Sequence, residues 1–410
     1  MRHRAVGTVK HRSLTATTLA VAGLLLAGCT AAGQAGDAGS AGGGDETVNV
    51  GLVYSRTGLL AAYGKQYRDG FMAGLDYATK GTGKAAGHRI EVTEQDDAGD
   101  PGKAVSAAKN LIGKGYKVLA GTTDSGVALQ MAPLAAQNKV LYVSGPAATD
   151  AVTGINKYTF RSGRQSYQDI LTAGTMLGDA KGKKVTVLAQ DSTFGQANVS
   201  AVTAVLGAEG AEVDSVLAPP SATDLTPFAR QVKSGGPDLV FVAWAGATAP
   251  ALWTALDQQG VPAASKVVTG LAGTASYPVF GAAGSQVSFL AHYFPGAGGG
   301  NAVEKAMLAS VEKAGGTPDL FTPDGFTAAQ MIVRAVEKGG ATDTAAMAKA
   351  LEGWSFDGVK GKEQVRAEDH ALLQPMFVAR LTGKGTTAMP ELVSTQPKDA
   401  VAPPVKPSAS

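Results

Sequence analysis

Cysteine is nearly missing: Cys29 is the single one in 410 residues, so no internal disulfide can form, although an oxidising compartment would permit one. Histidine is scarce too. Beyond position 28 only His88, His292 and His370 occur, too far apart for a zinc cluster. No Gly-x-x-x-x-Gly-Lys-Ser/Thr is present, which removes a P-loop. Gly81-Thr82-Gly83 starts like a dinucleotide fingerprint, but it follows a helical stretch and its third glycine is misplaced, so it reads as a turn. No Gly-x-Ser-x-Gly elbow exists, and no nucleophile has a base nearby. Asp96, Asp97 and Asp100 read as a solvated loop rather than a metal site. Catalytic residues, metal ligands and cofactors are therefore expected to be none. Charged residues are only 17% of the chain, below the usual quarter.

Hydrophobic residues make up 44%, enough for a sizeable core, and the length allows about two to four domains. Glycine is plentiful, 54 residues, but without a three-residue period, so collagen is excluded. The net charge of +2 is unevenly placed: four basic residues and no acid lie in the first 28 positions, leaving 32 basic against 34 acidic residues in the rest. A near-neutral, faintly acidic body argues against nucleic acid as a partner.

Arg2, Arg4, Lys10 and Arg12 form a basic head before an apolar stretch from Leu14 to Gly28. About 15 residues are too few to cross a ~30 Å hydrocarbon layer comfortably, and the layout is that of a secretory signal over 1–28. The run ends Leu26-Ala27-Gly28-Cys29 and resembles a bacterial lipobox, with cleavage before Cys29 and lipid on its sulfur. Residues 29–46 are mostly Ala, Gly, Ser and Gln, a flexible tether spanning on the order of 20–25 Å. The body would then sit just off a membrane, on its extracytoplasmic face. At the other end, 391–410 is expected to be a disordered tail, with Pro403-Pro404 and Pro407.

Between these ends, β-branched runs alternate with amphipathic ones. Strands are expected at Val48–Val53, Ile90–Val92, Val118–Ala120 and Val140–Val143, with helices over 65–80, 100–112 and 126–138 between them. The pattern restarts after Arg161, with strands at Val185–Ala189, 213–217, Leu239–Ala243 and Lys266–Val268. Apolar strands joined by helices of ten or more residues mean parallel sheets covered on both faces. The fold class expected is α/β, two doubly wound parallel-sheet lobes. Later segments, Val287–Tyr293, 303–314, 325–338 and 354–381, would cross back to complete both.

In such sheets ligands sit beyond the carboxyl ends of strands, near helix N-termini. In the first lobe that position is held by Tyr54–Gly64, Gly121–Gly126 and Ser144–Thr149, which offer backbone N–H groups and hydroxyls suited to a carboxylate. In the second it is held by Asp191–Gly195, Trp244–Gly246 and Gly270–Ala272, where Phe194 and Trp244 could close over an apolar tail.

These segments resemble the leucine/isoleucine/valine-binding family of ABC-transporter substrate-binding proteins, which have the type I periplasmic binding protein fold. The resemblance covers about Val48 to Leu381. It rests on Thr57-Gly58-Leu59-Leu60-Ala61-Ala62-Tyr63-Gly64, Asp96-Asp97-Ala98-Gly99-Asp100-Pro101, Ser144-Gly145-Pro146-Ala147-Ala148-Thr149 and Phe160-Arg161. It implies two lobes on a three-strand hinge, with crossings near Ser162, Leu290 and Gly361. The lobes would then be 47–162 plus 291–360 and 163–290 plus 361–390. It implies a small-molecule solute, a permease and ATPase as partners, a monomer, and capture by lobe closure. By position, Ser125, Ala147 and Thr149 match the grip on the ligand carboxylate and amine, Tyr63 and Phe194 match aromatic cleft positions, and Trp244-Ala245 matches another. Leu271 falls where amino-acid binders carry an acid for the ammonium. Asp124 or Asp191 could substitute, or the solute lacks an amine and pairs with Arg164. A sensor ectodomain and a secreted enzyme are the other readings.

Overall fold

The computed structural model describes residues 46–406 apart from 178, 281–282 and 384–386. Cys29, the expected signal and all but the last residue of the tether lie outside the described residues.

The first half runs β1 (Val48–Tyr54), α1 (Ala61–Ala78), β2 (Lys84–Ala85), β3 (His88–Asp96), α2 (Pro101–Gly113), β4 (Val118–Gly121), α3 (Ser125–Gln137), β5 (Leu141–Ser144) and β6 (Thr159–Arg161). They form a six-stranded sheet in the order β2-β3-β1-β4-β5-β6, parallel except for the short β2 hairpin partner. Every residue of β4 and β5 is buried, as strands covered on both faces must be. Asp100 caps α2 by accepting from Lys103 N at 2.9 Å, with Pro101 at the first helical position.

The chain then crosses into α4 (Ser166–Leu177), β7 (Lys184–Gln190), α5 (Thr193–Val202), β8 (Glu212–Ala218), α6 (Thr226–Gly235), β9 (Leu239–Ala243), α7 (Ala249–Gln258), α8 (Val261–Ala264), β10 (Lys266–Gly270), α9 (Tyr277–Phe280) and β11 (Val287–Ala291). It returns through α10 (Ala302–Lys313), α11 (Thr322–Gly339), α12 (Thr344–Leu351), β12 (Ser355–Gly358), β13 (Gly361–Val365) and β14 (Leu372–Leu373), and finishes with β15 (Met376–Thr382) and β16 (Met389–Gln396). The second sheet has the order β16-β15-β11-β10-β9-β7-β8. Its five strands from β11 to β8 are parallel, and β15 and β16 are antiparallel additions.

Three differences from the sequence expectations have physical causes. Gly361 is not a crossing: β13 pairs with β12 and β14 in a small antiparallel sheet, and Phe356, Val365 and Leu372 bury in the first lobe's core. The third crossing is instead the step from β14 to β15, at Gln374-Pro375. The strand expected at Val287–Tyr293 ends at Ala291, which places the second crossing at His292. Finally, residues 391–406 are not a disordered tail. β16 extends the second sheet, and the chain beyond it buries Val401. The carbonyl of Pro403 accepts from Arg366 Nη1 at 2.7 Å, and Lys406 N donates to Asp369 at 3.1 Å. Its proline and lysine content hid one anchoring valine and a string of backbone partners.

The first lobe's two long helices approach unusually closely. A Cβ on Gly70 of α1 would sit 1.8 Å from the Thr322 carbonyl, and one on Gly325 of α11 would sit 1.9 Å from the Tyr67 carbonyl. Only glycine permits that approach. It brings Tyr63 and Phe321, near the N-terminal ends of these helices, to a ring separation of 4.6 Å.

Candidate ligand-binding site

Each sheet has a switch point, between β1 and β4 in the first lobe and between β7 and β9 in the second. There helices leave on opposite faces and the strand ends open a crevice. The two crevices share a cavity of about 330 Å³, within the range of small-molecule sites. The lobes touch around it. Tyr63 Oη lies 3.5 Å from Gly246 N, at the outer limit of a hydrogen bond. Asp319, from the first lobe, accepts from Thr274 N at 2.9 Å and Thr274 Oγ1 at 3.1 Å in the second, while Gln66 Nε2 donates to it at 3.1 Å from its own side.

Eight residues singled out in the sequence line this cavity: Tyr63, Asp124, Ser125, Arg164, Phe194, Trp244, Ala245 and Leu271. Ser125 opens α3 behind the cap Asp124, whose carboxylate accepts from Val127 N at 3.0 Å. Trp244 is fixed by its indole N–H on Thr248 Oγ1 at 3.0 Å, and Ala245 N donates to Gln190 Oε1 at 3.2 Å. Leu271 is 3% exposed, in an apolar cluster with Val242 and Tyr277.

Ala147 and Thr149 do not line the cavity. Both are buried against the strand that follows them, because Arg161 reaches back. Its Nη1 donates to the Thr149 carbonyl at 2.8 Å, and its Nη2 donates to the Ala147 carbonyl at 2.5 Å. Thr149 also caps a short turn through Ala151 N. Burial holds the Arg161 guanidinium down to about 10. Asp191 is likewise absent from the lining and binds Gln196 Nε2. The three loop aspartates are occupied in turns: Asp96 accepts from Arg56 N, Thr57 and Ala98 N, Asp97 from Ser55 and Gly99 N, and Asp100 caps its helix.

The floor, near the crossings, carries charge that the sequence reading only partly found. Arg164 Nη1 donates to the Pro146 carbonyl at 3.2 Å, and its Nε lies 3.3 Å from Asp169 Oδ2, close enough for an ion pair but not aligned as a hydrogen bond. Its guanidinium stands over the Phe321 ring, 5.7 Å from the centroid. Burial raises Asp169 to about 6 against the opposing pull of Arg164. His292 also packs against Phe321, with ring centroids 4.9 Å apart. Burial first, and then the charges of Arg164 and Lys360, hold it well below the ordinary histidine value, so it is neutral. Phe321 opens α11, His292 stands on the second crossing and Asp169 lies in the first turn of α4, so none belongs to the strand-end loops that the sequence pattern marks. The one signal was the Arg164–Asp169 spacing, which opens a helix with opposite charges.

Two doubly wound lobes on three crossings, with a cavity between their switch points, define a solute-binding protein of the ABC-transporter class. The chain belongs to the periplasmic binding protein family, whose pattern matches residues 47–386. The Leu/Ile/Val-binding protein homolog 3 of Brucella melitensis is 27% identical to it over 308 residues, spanning 74% of this chain and 83% of that protein. A solved ABC-type branched-chain amino acid transporter protein from Rhodopseudomonas palustris is 31% identical, with a TM-score of 0.71, and covers 88% of this chain and 100% of that one. A solute-binding protein from R. palustris in complex with 4-hydroxybenzoate has a TM-score of 0.78 at 22% identity, over 86% of this chain and 97% of that one, a likeness of fold.

Proposed function

We propose that the chain is the extracytoplasmic receptor of an ABC importer, anchored by lipid on Cys29, and that it hands a small hydrophobic amino acid, or a related carboxylate or amide, to a permease driven by an ATPase. The observation that carries this reading is the cavity shared by both switch points, with the lobes in contact beside it at Asp319 and Thr274. The contacts we assign are Tyr63, Ser125, Phe194, Trp244, Ala245 and Leu271. The names of the relatives at 27% and 31% identity, leucine/isoleucine/valine and branched-chain amino acids, support the hydrophobic class. The working boundaries are 46–162 with 292–373 for one lobe and 163–291 with 376–396 for the other. The protein acts by holding its solute and releasing it unchanged.

One charge-assisted hydrogen bond contributes about 1.5–3 kcal/mol, and one buried apolar group about the same. Two or three of each, less the cost of ordering, give a micromolar constant near −8 kcal/mol. Solute that touches both walls favours the closed form, because only that form offers both sets of contacts. The test is a thermal-shift screen followed by small-angle scattering. A ligand at 100 times its Kd should add about 2.7 kcal/mol and shrink the radius of gyration. An unchanged radius with bound solute, or solute recovered chemically altered, would overturn the proposal.

A further inference from the structure

The positions that the family resemblance assigns to an α-ammonium offer it no acceptor in this cavity. The Ala147 carbonyl and Thr149 lie behind the wall, bonded to Arg161. Leu271 offers only hydrocarbon. Of the acids that line the cavity, Asp124 caps α3, and Asp169 faces Arg164 through Oδ2; its Oδ1 has no hydrogen-bond partner among the described residues, and burial pushes this carboxyl toward its neutral form. A buried ammonium without a counter-charge is costly. The opposite holds for an anion. Arg164 is the one lysine or arginine among the described lining residues, and neither partner above uses its Nη2, which has no hydrogen-bond partner among the described residues. The planar guanidinium suits a carboxylate.

Resting on the receptor reading above, we infer that the solute is a carboxylate with no ammonium group, its carboxylate on Arg164 and its apolar body against Phe194, Trp244 and Leu271. The neutral His292 adds no second cation, so selection falls on Arg164. A bound anion also acts on Asp169, which already feels Arg164 on the crossing, Asp150 beside Arg161, and Asp324 on α11. Added negative charge raises Asp169 further, so an acid should bind more tightly as pH falls from 8 to 6. An amine held by ionised Asp169 would show the opposite slope, weakening as pH falls through 6.

Isothermal titration of the purified protein with matched probes decides between them: leucine, 4-methylpentanoate and 3-methylbutylamine, then phenylalanine, 3-phenylpropanoate and 2-phenylethylamine. Within at least one set the acid should bind tenfold or more tightly than its amino acid, and the amine not at all. Arg164→Gln should weaken the acid by 30-fold or more, and Arg164→Lys should recover part of that. Should the single variant unfold, Arg164→Gln with Asp169→Asn keeps the floor neutral and must show the same loss. Leu271→Glu should admit the amino acid. Equal or tighter binding of the amino acid by the unaltered protein, or binding of an amine, overturns the inference and leaves the receptor reading standing. So does a neutral amide or sugar as the one ligand found. No ligand from any class overturns both.

Discussion

The two walls of the cleft are built from different materials. The first lobe presents hydroxyls and a capped helix start, Thr123-Asp124-Ser125, beside the Tyr63–Phe321 pair, and its hinge side buries the side chains of Lys360, Asp324 and Glu363. The second lobe presents Phe194, Phe241, Trp244, Trp253 and Leu271, with Gln190, Asn198 and Thr269 among them, and its sheet buries a mainly apolar cluster that also holds Thr186 and Thr269. A polar wall orients a ligand, because hydrogen bonds are directional. An apolar wall holds whatever body fits, because burial is not. The division places the helix-start hydroxyls on one body and the larger aromatic wall, with Arg164 at its floor, on the other, so the two sets of contacts act together only when the lobes meet.

The largest test of this contrast is stability. Lys360 Nζ pairs with Asp324 Oδ1 at 3.2 Å and also donates to Gln374 on the third crossing. Burial raises both Asp324 and Glu363, and Lys360 opposes that rise. Lys360→Met should cost about 3–5 kcal/mol in denaturant unfolding, since it strands two buried acids. Adding Asp324→Asn should restore part of it. A loss no larger than that of an ordinary core substitution would erase the contrast between the lobes.

Next comes pH. The folded-state value of Asp169, about 6, exceeds its ordinary 3.8. Between these values the native state holds a proton that the unfolded chain has lost, so this group's contribution to stability falls as pH rises from about 4 to 6 and is constant outside that window. The shift corresponds to roughly 3 kcal/mol. Asp169→Asn should reduce the slope of unfolding free energy against pH there, whatever it does to the absolute value. An unaltered slope would place the titrating group elsewhere.

The same contrast explains what was legible in the sequence. The parallel strands could be read because their burial on both faces writes continuous apolar runs, as in Val118-Leu119-Ala120 and Leu239–Ala243. Strand-end loops followed from them, and with them Tyr63, Ser125, Phe194, Trp244 and Leu271. The hinge was less legible. Its residues obey neither a two- nor a 3.6-residue period: Lys360 is held by Asp324 and by Gln374 of the third crossing, and Gln374 in turn reaches Gln168 just past the first crossing, 206 residues away. Ala147 and Thr149 were expected in the cavity because their position in the strand-end loop is right. Nothing local shows that Arg161 fixes that loop from behind. The tail misled for the opposite reason, since its composition is that of a linker while its contacts are backbone carbonyls that any residue supplies.

A third prediction joins the walls. Asp319 accepts hydrogen bonds from both lobes at once. Asp319→Asn would turn a donor toward Thr274 N or leave Gln66 without its carboxylate. Losing one charge-assisted bond, about 1.5–3 kcal/mol, should weaken ligand binding by about 10- to 100-fold and raise the radius of gyration measured with sub-saturating ligand. Weaker binding with no change in closure would place Asp319 in the local fold of the first lobe instead.

The smallest expected effect separates the walls themselves. Phe194→Ala removes an aromatic body from the apolar side, and Ser125→Ala removes one hydroxyl from the polar side. The first should cost affinity by about 1.5–3 kcal/mol toward every ligand that binds, in proportion to apolar size. The second should cost about 1 kcal/mol, because Ser125 Oγ also accepts from Thr149 N at 3.3 Å and is only partly available. The discriminating readout is the ligand profile rather than the magnitude. Loss of Phe194 should flatten discrimination between long and short apolar bodies and keep the preferred polar group, whereas loss of Ser125 should do the reverse. If both variants scaled every ligand by the same factor, orientation and size would not be divided between the lobes, and the difference in their composition would have to be assigned to folding alone.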